Sequence, residues 1–228
     1  MTEPNAQARK IVRVVPTVHR WRVHDDRIGG EESDAYAVVR SGRVTLIDPL
    51  PVRESELQRL GQIEAIVLTA ANHQRSAWRY RRLLGVPVFA PEGPTVGTVP
   101  GQLEEEPDHR YSGGDSVPGG LVAFHAPGPT EAMYALWLDS PRSVVFLSDL
   151  LWHDGSGLPR FVNSAYQDEP MRTRASVRRI ADHLPVEVLC FAHGPPICQG
   201  GRQALERALA VDLEERMGQA GHAAEPPP

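Results

Sequence analysis

Four short polar segments hold the residues best suited to proton transfer or cation binding. They are Thr69-Ala70-Ala71-Asn72-His73-Gln74-Arg75, His125-Ala126-Pro127-Gly128-Pro129-Thr130, Ser148-Asp149 and Ala192-His193-Gly194-Pro195-Pro196. Histidine is the side chain suited to proton transfer near neutral pH, so His193 can act as a general base or ligate a metal. Asp149 can hold a cation or pair with a guanidinium. Arg75 is a permanent cation that can clamp an anion or stabilise developing negative charge. These three residues are the candidate catalytic set, and Asn72, His73, Gln74, His125, Trp152 and His153 are candidates for lining the pocket around them. No G-x-S-x-G segment or phosphate-binding glycine loop competes with this reading. Cys190 lies in an apolar run and Cys198 in a Pro/Gly loop, so both are expected to be plain thiols.

Each polar segment follows an apolar run that reads as a buried strand, at residues 63–68, 121–125, 143–147 and 186–191. In layered α/β folds, polar residues just past the carboxyl ends of such strands gather into one crevice. Further strands are predicted at 11–15 and 18–23, with a hairpin of 36–40 and 44–48 turning at Ser41-Gly42. Asp48 ends that hairpin and is expected to support the loop of residues 69–75. Helices are predicted near 53–60, 75–85, 170–183 and 201–217, with Pro170 suited to a first turn. Residues 1–10 read as a disordered lead-in, 11–217 as one domain and 218–228 as a disordered tail.

The 228 residues carry 24 Lys plus Arg against 29 Asp plus Glu, a net charge of −5, which opposes general nucleic-acid binding. A 41% hydrophobic content supplies a core, yet no apolar run approaches the ~20 residues of a spanning helix, so no membrane role is expected. The N-terminus lacks the apolar stretch of a secretion signal, and a cytoplasmic protein is expected.

The order of the segments resembles the metallo-β-lactamase superfamily from about Tyr36 to about Leu213. Residues 36–49 match its early hairpin ending in Asp, and residues 66–75 fall where T-H-x-H-x-D-H follows a strand. Gly114-Asp115-Ser116 with Gly119-Gly120-Leu121 resembles G-D-x-x-x-x-G-G-x-L, one residue shorter in each gap, and Pro127-Gly128-Pro129-Thr130 resembles P-G-H-T. Ser148-Asp149 and Ala192-His193-Gly194 match the last two motifs. The resemblance implies a four-layer αββα sandwich, with two mixed sheets face to face and helices outside. It also implies a two-metal hydrolytic site, and there the chain departs. Ala70, Asn72, Gln74 and Arg75 stand where His, His, Asp and His are expected, and Pro129 replaces a third His. Only Asp149 and His193 match ligand positions. His73 falls between two motif positions, which turns its side chain away from the ligands.

Two ligands are too few for zinc, and Arg75 adds a repelling charge. The expectation is therefore a hydrolase-like fold with a degenerate, metal-free site, in which Arg75 pairs with Asp149 and the crevice binds a small molecule or a protein partner. No cofactor is expected. The alternative is a hydrolase of esters, thioesters or lactones with a rewired site for one zinc, iron or manganese ion, built around Asp149 and His193 with one or two of His73, Asn72, His125 and His153. A third reading is a metal-free acid/base hydrolase with His193 as base and Arg75 as clamp.

Overall fold

The computed structural model describes residues 3–223. Valine-rich β1 (Val12–Val15) and β2 (Val18–Asp25) pair antiparallel, and β2 pairs with β3 (Glu31–Arg40). β3 turns into β4 (Arg43–Ile47) through Ser41 and Gly42, both left-handed with φ of 51° and 77°. Two successive left-handed residues match the twist of a two-residue hairpin. Helix α1 (Glu54–Gln58) leads into β5 (Gln62–Val67), and α2 (Ala77–Leu84) into β6 (Val88–Pro91); β7 (His109–Tyr111) closes the seven-stranded sheet in the order β1 to β7. β4 to β7 pair parallel, so their carboxyl ends open on one edge.

The second sheet runs β14-β11-β10-β9-β8. Its strands are β8 (Ser116–Val117), β9 (Leu121–His125), β10 (Tyr134–Leu138) and β11 (Val144–Phe146), with β14 (Val188–Cys190) parallel to β11. Between β11 and β14 lie a small hairpin, β12 (Leu151–Trp152) with β13 (Arg160–Phe161), and helix α3 (Pro170–His183). Helix α4 (Gly201–Ala223) ends the described chain.

Three apolar layers make this a sandwich of helices, sheet, sheet and helices. Val38, Ile47 and Val67 meet Leu121, Leu136 and Phe146 between the sheets. Trp78 and Tyr80 of α2 cover the outer face of the first sheet, and Val177 and Ile180 of α3 with Leu205 of α4 cover the second. Each such side chain, fully buried, contributes ~1.5–3 kcal/mol. The expected four-layer αββα class is the observed one, and all four predicted helices form.

The ends of the chain depart from expectation. Residues 3–10, read as a disordered lead-in, instead pack along the segment before α1. The Ala8 amide donates to the Pro51 carbonyl, the Arg53 amide donates to the Ala8 carbonyl, and Ala8 is buried. The predicted tail begins inside α4, which continues to Ala223, while residues 224–228 lie outside the described residues. No helix among the described residues is long and apolar enough to cross a membrane.

One side chain ties the sheets together beneath the strand ends. The buried Tyr36 hydroxyl donates to the Phe191 carbonyl at 2.8 Å and accepts from the Phe191 amide at 3.1 Å. Tyr36→Phe leaves both backbone groups without that partner, and an unmet buried polar group costs ~1–3 kcal/mol. Urea denaturation is expected to show the variant destabilised by about 2 kcal/mol with an unchanged slope.

Candidate metal centre

The site forms where β4, β5, β11 and β14 end. Left-handed residues shape the segments past the strands: Asp48 after β4, Ser148 after β11 and Arg75 in the loop after β5 have φ of 45°, 53° and 38°. Left-handed backbone is costly for residues with a Cβ and persists where the surroundings fix it. At the end of β5, Ala71–His73 form a single 3-10 turn. This turn and the left-handed Arg75 swing His73 inward, and it is almost fully buried.

His73, Asp149 and His193 converge, with one ligand atom of each within 4.8 Å of the others. His73 Nε2 lies 3.0 Å from Asp149 Oδ2, and His193 Nε2 lies 3.3 Å from Asp149 Oδ1. Asn72 Nδ2 donates to Asp149 Oδ2 at 3.0 Å, which fixes the rotation of the carboxylate.

The far side of each imidazole is also held. His73 Nδ1 donates to Asp48 Oδ2 at 3.0 Å, and His193 Nδ1 donates to the Glu32 carbonyl at 3.0 Å. Both acceptors lack protons, so in a neutral ring each Nε2 carries a lone pair directed at Asp149. Asp48 is in turn anchored by the Thr69 amide at 2.8 Å and the Thr69 hydroxyl at 2.5 Å. With the Thr69 proton committed to Asp48, the Ser148 hydroxyl donates to Thr69 Oγ1 at 2.8 Å.

Charge follows from this arrangement. Burial alone would raise the Asp149 carboxyl, but His73 and His193 overrule it and hold it well below the usual carboxylate range. Burial alone would lower His73, but Asp149 and Asp48 outweigh burial and the Arg75 charge, and its pKa is raised.

Arg75 does not form the expected pair with Asp149. Its guanidinium donates to the carbonyls of Asp34 at 2.7 Å and Asp48 at 3.3 Å, and it is buried beneath the site. Its side chain thus serves a backbone carbonyl within β3 and one just past β4, and buried carbonyls need donors.

Of the other predicted pocket residues, only Asn72 and His73 join the cluster. Gln74 turns away, donating to the Gln102 carbonyl and accepting from Trp78 Nε1 and the Glu104 amide. His125 is held in its own hairpin by the Glu131 carbonyl at 2.8 Å and lies against the Tyr134 ring. Both ring nitrogens of His153 contact carbonyls, of Pro195 and Gly157. Trp152 lines a separate cavity of about 830 Å³ between the β12–β13 hairpin, α3 and α4. Sequence reasoning missed Thr69 and Ser148, whose signal was present: small hydroxyl residues flanking Asp48 and Asp149 at strand ends.

The donor set fits one divalent metal ion. Two imidazoles and one carboxylate suit zinc, iron or manganese, and three protein ligands leave a position open. Metal–nitrogen bonds of about 2.0–2.1 Å in a tetrahedron separate ligand atoms by roughly 3.3 Å, and here one ligand atom of each residue lies within 4.8 Å of the others. Asp149 Oδ1 is buried without a hydrogen-bond donor, so one lone-pair atom of the cluster lacks a positive partner. At the remaining motif positions Ala70 and Pro129 carry no ligating side-chain atom, and Gln74 and Arg75 turn to other partners.

No protein-family model matches the chain, and no curated protein matches it in sequence. Solved structures match its fold. The metallo-β-lactamase FIM-1 from Pseudomonas aeruginosa, in its mono-zinc form, is 18% identical with a TM-score of 0.68, over 94% of this chain and 99% of that one. A metallo-β-lactamase family protein from Thermus thermophilus is 18% identical with a TM-score of 0.68, over 94% and 85%. VMB-1 is 14% identical with a TM-score of 0.68, over 93% and 99%. The chain thus has the metallo-β-lactamase fold, with a His-Asp-His cluster at its strand ends.

Proposed function

We propose that this protein is a single-metal member of the fold, a hydrolase of ester, thioester or lactone type, that binds one divalent ion through His73, Asp149 and His193. The observation that carries the reading is the buried Asp149 Oδ1, which has no donor and faces an imidazole nitrogen whose other ring nitrogen is already committed. Such an oxygen is costly to bury unless a cation meets it. Asp48 and Asp149 against Arg75 leave the cluster one net negative charge when both imidazoles are neutral, which favours a cation. Asp48 behind His73 is the carboxylate–histidine support that metal sites use to fix tautomer and ring orientation.

The chain's own groups divide the work. Asn72 holds one carboxylate oxygen so that the other points at His193. The Glu32 carbonyl keeps the His193 Nδ1 proton away from the site. His193 is the exposed member, with 26% of its side chain open to solvent, so substrate would enter on its side. A bound divalent ion supplies Lewis-acid polarisation of a substrate carbonyl.

The metal-free reading is the second, and one observation favours it. A proton on His73 Nε2 would bridge Asp48 and Asp149 and bring Asp48, Asp149, Arg75 and His73 to zero net charge. Metal content separates the two. Purified untagged protein dialysed against zinc is expected to retain about one equivalent and to melt higher than in chelator. His73→Ala and Asp149→Asn are each expected to weaken zinc binding by more than about 100-fold, beyond the ~10–100-fold cost of losing a supporting partner. Turnover of ester, thioester and lactone panels should fall with chelator and with His73→Ala. A wild-type protein with no zinc after dialysis and unchanged melting would establish the metal-free state.

The pH dependence in chelator follows from the two shifts. The depressed Asp149 contributes stability above the ordinary carboxylate range, and this is lost as pH falls. The raised His73 contributes stability below the ordinary imidazole value, and this is lost as pH rises through its folded pKa. The stability gap between wild type and Asp149→Asn in excess EDTA is therefore expected to peak between about pH 4 and 6.5 and shrink on both sides. Urea titrations across that range would show a flat gap if His73 and Asp149 were not coupled.

A further inference from the structure

We infer that Asp34, a residue outside the ligand cluster, is the positioning residue that sets the place of His193 and ties it to the loop carrying His73. The inference rests on the proposed metal reading for its affinity measurement, but not for its geometry.

Asp34 sits in β3, 1% exposed, and its carboxylate and backbone are both engaged. Its Oδ1 accepts from Arg20 Nε at 2.5 Å, and its Oδ2 accepts from the Gly194 amide at 2.8 Å. Its own amide donates to the Ala192 carbonyl at 2.8 Å, and its carbonyl accepts from Arg75 Nη1 at 2.7 Å. The residues on both sides of His193 are therefore fastened to this one residue. Two positions earlier in β3, Glu32 offers the carbonyl that holds His193 Nδ1.

The Gly194 contact matters because the turn has no slack. Gly194 has φ of 106°, and a Cβ there would overlap the His153 carbonyl oxygen. With the backbone pinned on one side by that carbonyl and on the other by Asp34, the His193 imidazole has one place to go. Arg75 carries the same constraint across the site, since it also binds the Asp48 carbonyl at 3.3 Å, and the Asp48 carboxylate orients His73. Arg20 keeps the buried Asp34 carboxylate compensated, as a buried anion requires.

Asp34→Asn in the full chain tests this. An amide has one acceptor oxygen, so it can serve Gly194 or Arg20 but not both. Cobalt(II) titration followed by visible absorption is expected to show affinity reduced about 10–100-fold with an altered spectrum, the size of effect seen when a supporting partner of a ligand is lost. In a His193→Ala background, the same substitution is expected to change cobalt affinity by less than about threefold, because it acts through His193. Equal effects in the two backgrounds, or unchanged affinity in the single variant, would overturn the inference.

Gly194 amide exchange and the His193 ring resonances, read by NMR without metal, give a second readout. Exchange at Gly194 is expected to quicken roughly tenfold or more in Asp34→Asn, and the His193 resonances to move. If wild type takes up no cobalt, the metal reading fails; unchanged exchange and resonances then overturn the role of Asp34, and changed ones uphold it. If Asp34→Asn does not fold, Arg20→Met with Asp34→Leu removes both buried charges together and is read the same way.

Discussion

A carboxylate leaves water only if something positive or proton-bearing replaces the water. The site is organised around that constraint at Asp149. One of its oxygens is met by Asn72 and His73, while the other is buried without a hydrogen bond and faces His193 Nε2 at 3.3 Å. Around it, both imidazoles have their Nδ1 protons drawn outward, to Asp48 and to the Glu32 carbonyl. Lone pairs are thereby turned inward on a single point. Either a metal ion or an extra proton must sit among them, with His73 Nε2 3.0 Å from one carboxylate oxygen and His193 Nε2 3.3 Å from the other.

The fold provides the means to hold this arrangement. Parallel strands in both sheets end on one edge, and left-handed residues follow at Asp48, at Ser148 and, beyond the 3-10 turn after β5, at Arg75. Such conformations persist because buried hydrogen bonds reward them. Asp48 gains the Thr69 amide, Arg75 gains two buried backbone carbonyls, and Ser148 gains the Thr69 hydroxyl. Tyr36 and Asp34, both from β3, bind the segment that bears His193. Backbone strain at the edge is thus offset by polar bonds that also aim the ligands.

Much of this was legible in the sequence. Apolar runs followed by polar segments located the strands and their carboxyl ends, and Ser41-Gly42 located the hairpin. Motif order pointed to the αββα sandwich, and Asp149 and His193 stood at ligand positions. His73 was harder, because its place depends on the φ of Arg75 and the 3-10 turn before it, and residue types alone do not fix either. Arg75 was read as a partner for Asp149 because opposite charges attract; unsatisfied carbonyls beneath the site claim it instead. His125, His153 and Trp152 follow strand ends as the crevice rule requires, yet hydrogen bonds in their own loops or a separate cavity hold them elsewhere. The lead-in looked featureless because its partners are distant in sequence: backbone bonds to residues 51–53, Glu3 with Ser76 and Arg79, and Asn5 with Asp26.

The central claim is that one cation belongs among His73, Asp149 and His193. Crystals grown with zinc and measured at the zinc absorption edge test it most directly. A single anomalous peak is predicted about 2.0–2.2 Å from His73 Nε2, Asp149 Oδ1 and His193 Nε2, with no second peak beside Arg75. A map with no peak there, and with His73 bridging Asp48 and Asp149 by two hydrogen bonds, would contradict it.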